Sequence, residues 1–206
     1  MKVILLAKGQ DLVMLMLFYY TGARAGEVFR LKWDDIDFPG NRIRLIDHKT
    51  KGGGKRERWL PLHSELVKAL LWWQAERPCR AEPVFFQTEN KTHLGEPFTH
   101  RSHFMPALCR RAGVKPFGFY SLRHKSATIA FSTQGLGAAQ MLMGHYRATT
   151  TDGYIKSFGQ YADRVTVVDA LAGCTVGLAL GNHFDEMAMP QKKQSSEAFC
   201  KSALVN

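Results

Sequence analysis

Asp35-Ile36-Asp37-Phe38-Pro39-Gly40-Asn41-Arg42-Ile43-Arg44-Leu45-Ile46 is the stretch on which the fold turns. Ile36 and Phe38 alternate with acids, and Ile43 and Leu45 alternate with arginines. A period of two with a Pro-Gly-Asn break between the halves predicts two antiparallel strands, Asp35–Phe38 and Arg42–Ile46. A third strand, Arg58–Leu62, is expected beyond Gly52-Gly53-Gly54. On both sides of this small sheet the pattern is helical.

Upstream, Gln10–Tyr20 is apolar almost all round, which predicts a buried helix ending near Gly22. A short helix over Ala25–Lys32 follows it. Downstream, Leu66, Ala69, Leu70 and Trp73 recur at helical spacing from His63 until Pro78. A loop through Pro83–Pro97 leads to a helix over Thr99–Ala112. Further helices are expected over Ser121–Phe131, Ala138–Met143 and Gln160–Ala172. The fold class is α+β, mainly helical, with one small three-stranded antiparallel sheet. Residues 1–180 read as one domain and residues 181–206 as a polar, weakly patterned tail.

The chain has 206 residues, and its 28 Lys and Arg against 18 Asp and Glu give a net charge of +10. That excess favours a polyanionic partner, because neutralising phosphates releases condensed counterions. The longest apolar run, Leu12–Tyr20, is shorter than the roughly 20 residues a bilayer span requires. No secretory leader is legible at the start. A soluble, cytoplasmic protein is the expectation. Cys79, Cys109, Cys174 and Cys200 lie far apart with no CxxC, which argues against a zinc site. His93, His100 and His103 are the other candidate ligands, with no acid or cysteine spaced to complete a set.

Four segments carry candidate chemistry. In Thr21-Gly22-Ala23-Arg24-Ala25-Gly26-Glu27, an arginine follows a glycine break and precedes a helix, where its planar fork can meet a phosphate. Glu27, one turn on, is placed to hold that guanidinium. Read alone, the segment is more simply a surface ion pair at a helix start. Ile43–Leu62 is a hairpin bearing Lys49, Lys51, Lys55, Arg56 and Arg58 around three glycines. No Gly-Lys-Ser/Thr completes a nucleotide-binding loop, but such a tip can reach a DNA groove; a solvated turn is the plainer reading.

Phe119-Tyr120-Ser121-Leu122-Arg123-His124 stands at a helix start, with Ser121 as the expected N-cap and Arg123 at an anion-binding position. Leu142-Met143-Gly144-His145 leads through Thr149-Thr150-Thr151 to Tyr154. The glycine break before His145 suggests an exposed imidazole.

In this order and spacing, Thr-Gly-x-Arg-x-x-Glu, Leu-Arg-His, and Gly-His with Tyr154 nine residues after His145 resemble the tyrosine recombinase, or phage integrase, family. The resemblance covers about Gln10 to Phe158. It implies the family's DNA breaking-rejoining fold and a chain that begins at the catalytic domain, without the usual N-terminal DNA-clasping domain. It implies that Tyr154 attacks a DNA phosphodiester, forming a 3′-phosphotyrosyl link and releasing a 5′-hydroxyl. Arg24 and Arg123 would hold the non-bridging oxygens, and His145 would bond the phosphate and assist the tyrosine.

A hairpin lysine, Lys51 first and Lys49 second, would protonate the leaving oxygen. Lys49, Lys55, Arg56 and Arg58 would bind DNA, while Glu27 and His124 would support the arginines. Neither metal nor ATP is implied, and no other cofactor. Double-stranded DNA is the implied partner, with a homotetramer on DNA in the full-length protein. One departure stands out: the family places histidine where this chain has Tyr120, a much weaker base near neutral pH, so Tyr120 is expected to support the site by hydrogen bonding. A type IB topoisomerase-like enzyme and a non-catalytic DNA-binding relic are the alternatives.

Overall fold

The computed structural model describes residues 2–48, 54–89 and 91–144. Its centre is α2 (Gly9–Thr21), preceded by the single turn α1 (Lys2–Leu5). Every side chain of α2 from Leu12 to Thr21 is buried. A helix without a polar face must be covered on all sides, and α4 (Ser64–Glu76) and α6 (Phe119–Met143) both pack on it. Ser126 Oγ donates to the Tyr19 carbonyl at 2.6 Å, which ties α6 to α2 through a buried bond. Trp73 of α4 donates its indole N–H to the Val84 carbonyl at 2.7 Å, so the loop after α4 is drawn onto the same core.

The sheet is as expected in number and direction: β1 (Ile36–Asp37), β2 (Arg42–Asp47) and β3 (Arg56–Pro61) pair antiparallel in sequence order. Ile36 stands opposite Ile43, and Ile43 opposite Leu60. These residues and Leu45 are buried, so one face of the sheet closes the core. β3 begins two residues before the expected Arg58, because Arg56 and Glu57 continue the ladder opposite Asp47 and Ile46.

The remaining boundaries moved for tertiary reasons. α3 (Ala25–Phe29) stops short of Lys32. Past its end the chain joins the 82–84 strand-like segment instead, with Val84 N–H on the Leu31 carbonyl at 2.8 Å and Trp33 N–H on the Glu82 carbonyl at 3.3 Å. α5 (Phe104–Arg111) starts later than Thr99. Arg101 there pairs with Asp11 and lies over the rings of Phe98 and Phe104, 4.4 and 4.0 Å from their centroids.

α6 begins at Phe119, with Gly118 as N-cap; Ser121 lies within the first turn and does not cap it. Phe119 sets that start, stacking on Phe18 at 4.6 Å and meeting Phe29 edge-on at 5.6 Å. The two helices expected from Ser121 to Met143 are joined without a loop, and the break falls at Gly135 (φ 83°, ψ −173°). The helix expected over Gln160–Ala172 and the tail 181–206 lie outside the described residues. Among the described residues, no helix is long and apolar enough to cross a membrane.

Candidate active site

Two helix C-termini meet at one guanidinium. Gly22 ends α2 in the left-handed region (φ 57°), and Gly144 ends α6 likewise (φ 64°). Both are conformations that glycine adopts without steric cost. Arg123, only 3% exposed, donates from Nη1 to the Gly22 carbonyl and from Nη2 to the Met143 carbonyl, the latter at 2.8 Å. These are carbonyls that helix ends leave unbonded, and they carry the negative pole of the macrodipole. Both effects offset the cost of burying the charge.

The offset is partial. Burial first, then repulsion from Arg24 and Arg58, pushes the Arg123 guanidinium down to about 10, against opposing attraction from Glu27 and Tyr120. It remains a cation at neutral pH.

Arg24 is reached from the other side of the Gly22 break. It is the N-cap of α3, its side chain is 36% exposed, and Nη1 lies 3.2 Å from Glu27 Oε1 and 2.9 Å from Asp47 Oδ2. Glu27 is buried and fully engaged. Its Oε2 accepts from the Arg24 backbone N–H at 2.7 Å, the arrangement by which a third-position glutamate satisfies an unpaired helix-start donor. Arg58 then grips the same carboxylate with two parallel bonds, 2.7 and 2.9 Å. Burial would raise the Glu27 carboxyl, but the bonds and charge of Arg58, with help from Arg24, hold it below its ordinary value.

The structure therefore brings together Arg24, Glu27 and Arg123 of the expected set. Arg58 was expected on DNA with the other hairpin cations. It is instead directed inward, its side chain 9% exposed and paired with Glu27, whereas Lys55 and Arg56 are exposed. Strand alternation carried that signal: two residues before buried Leu60, Arg58 falls on the inward face, opposite Leu45. Asp47 gave no such signal, since only the packing of β2 against α3 brings it to Arg24.

Tyr120 is 70% exposed at the start of α6, its ring edge-on to His124 at 4.5 Å. Lys49, Lys51, His145 and Tyr154 lie outside the described residues. His93, expected to have no acid beside it, has one: Glu96 Oε2 at 2.9 Å, at an exposed turn. Among the described residues, no group of three or more His, Cys, Asp or Glu could hold a metal ion.

Arg24, Arg58 and Arg123 thus gather with the carboxylates of Glu27 and Asp47 at the glycine break. The profile of the phage integrase family matches residues 6–160, a span that includes all of these residues and also His145 and Tyr154. The chain belongs to the phage integrase family. Tyrosine recombinase XerC of Xylella fastidiosa (strain M23) is 31% identical over 161 residues, covering 76% of this chain and 51% of that protein.

The chain thus spans about half the length of the curated relatives it matches. In fold it is similar to the crystal structure of XerA recombinase, with a TM-score of 0.56 and 21% identity over 78% of this chain and 56% of that one. It is likewise similar to the Tn1549 transposon integrase (residues 82–397) in complex with circular intermediate DNA. There the TM-score is 0.57 and the identity 18%, covering 76% of this chain and 58% of that one. The helical domain with its three-stranded sheet is the catalytic-domain fold of this family.

Proposed function

We propose that this chain is the catalytic part of a site-specific DNA recombinase that cuts and rejoins strands through Tyr154. The observation that carries the reading is the gathering of Arg24 and Arg123 at the Gly22 break, in a chain of the phage integrase family. A phosphodiester passing through a pentacoordinate state gains charge on its non-bridging oxygens, and fixed guanidinium groups stabilise that charge with little reorganisation. Tyr154 attacks phosphorus, the 3′-phosphotyrosyl bond forms, and the bond to the 5′-oxygen breaks.

Lys51, or Lys49 in its place, delivers the proton to the leaving oxygen. His145 bonds the phosphate and takes part in deprotonating Tyr154, while Tyr120 contributes at most a hydrogen bond. The covalent link conserves the phosphodiester's energy, so religation by the 5′-hydroxyl reverses the same steps. Two arginines and a lysine supply the positive charge, so neither metal nor ATP is invoked. The partner is double-stranded DNA, and the full-length protein works as a tetramer on it.

The test is covalent capture. The 206-residue chain is incubated with a library of nicked duplexes whose central site is randomised, so that the fragment freed by cleavage diffuses away. A DNA adduct stable to denaturant is expected, and it is absent with Tyr154→Phe. DNA binding without an adduct in the unaltered chain would refute catalysis and favour a binding relic. A two-site exchange assay on the captured sequence then separates recombination from topoisomerase-like relaxation.

A further inference from the structure

Arg58 is the one arginine of the cluster for which the mechanism above has no use. It stands on β3, on the arm of the hairpin that follows the glycines, yet it points inward. Its Nη1 and Nη2 hold both oxygens of Glu27. Glu27 in turn fixes the backbone and guanidinium of Arg24. The other flank of Arg58 lies against Gly144: a Cβ at that position would sit 2.8 Å from Arg58 Cδ and 3.1 Å from Nε. Nε is buried, with no hydrogen-bond partner among the described residues. In sequence, His145 is the next residue after Gly144.

One side chain therefore abuts both the turn that presents Arg24 and the turn that leads into His145. A lysine could not do this. It has no planar fork to hold both oxygens of a carboxylate, and its point charge sits at the end of a flexible stem.

We infer that Arg58 is a positioning residue for strand cleavage, holding Arg24 through Glu27 and seating the Gly144 turn before His145, without touching DNA itself. The inference rests on the proposed function. Displacing Arg58 loosens the groups that meet the phosphate, and misplacement on the scale of an ångström slows a reaction that depends on alignment. Because Arg58 neutralises no phosphate, DNA affinity and its salt dependence are left as they were.

The experiment compares Arg58→Gln and Arg58→Lys with the unaltered chain on the duplex captured above, at a temperature where circular dichroism shows each folded. Lysine keeps the charge and much of the packing, so it serves if the glutamine variant fails to fold. Three quantities are read: the salt slope of DNA binding, the single-turnover cleavage rate at saturating DNA, and that rate on a methylphosphonate at the scissile position. The expected result is an unchanged slope with cleavage slowed roughly 10- to 100-fold. The deficit should shrink on the methylphosphonate, whose neutral phosphorus gives Arg24 less charge to hold.

A slope reduced by about one with cleavage intact would overturn the inference, because that is the signature of a lost phosphate contact. A deficit equal on both substrates would also overturn it, by reducing Arg58 to a general structural role. Absence of an adduct in the unaltered chain would sink the proposed function, and this inference with it, a result distinct from either.

Discussion

Glu27 ties the start of α3 to β3. Its two oxygens accept from the Arg24 backbone, the Arg24 side chain and both terminal nitrogens of Arg58. Removing it leaves Arg58 charged and buried without its partner, a change that costs about 3–5 kcal/mol where a buried pair is broken from one side. Glu27→Ala should therefore lower the urea midpoint by that equivalent, and an unchanged midpoint would refute the pairing. Its pH dependence has a fixed sign. The folded carboxyl is held below its ordinary value of 4.5, so its contribution is present above that value and is lost as pH falls through the lower folded one. Thermal melts of the native chain should drop below about pH 4.5, and those of Glu27→Gln should drop less over that window.

Among the elements, α6 shows how a backbone break can set a site. Gly135 adopts φ 83° and ψ −173°, a region essentially reserved for glycine, and a Cβ there would meet nothing within 4 Å. The strain of replacing it is thus purely that of the backbone, about 1–3 kcal/mol. Gly135→Ala should destabilise by that amount in urea unfolding and slow strand cleavage, because a straightened helix carries Met143 and Gly144 away from Arg123 and Arg58. Full stability in the alanine variant would mean the break is not required.

The elements were also the most legible part of the sequence. An all-apolar Leu12–Tyr20 has only one place to go, and Pro39-Gly40-Asn41 between alternating runs fixes a hairpin. Boundaries were less legible: α5 started late because Arg101 is held by Asp11, ninety residues before it, and local pattern contains no trace of such a pairing. The site itself was read in part. Arg24 and Arg123 stood out by their glycine and helix-start contexts. Asp47 did not, since its role arises from packing β2 against α3, distant in sequence.

At the scale of the whole molecule, charge and topology act together. The chain carries +10, and the described structure spends part of that charge internally, on pairs such as Arg58–Glu27 and Arg44–Asp35. Lys55 and Arg56 are exposed on the hairpin arm that carries Arg58. Binding to a non-specific duplex should fall steeply with salt, and Lys55→Ala or Arg56→Ala should each reduce the log–log slope by about one. A slope unmoved by both substitutions would place the DNA elsewhere.

The central claim is the identity of the nucleophile, and a peptide map of the covalent adduct tests it most directly. Trypsin releases Tyr154 on the peptide from Ala148 to Lys156, which contains no other tyrosine and separates it from Tyr146 and Tyr161. After nuclease trimming of the captured DNA, the mass of a nucleotide phosphate should appear on that peptide and on Tyr154 within it. The same mass on the peptide bearing Tyr120, Tyr146 or Tyr161, or on none, would contradict the account.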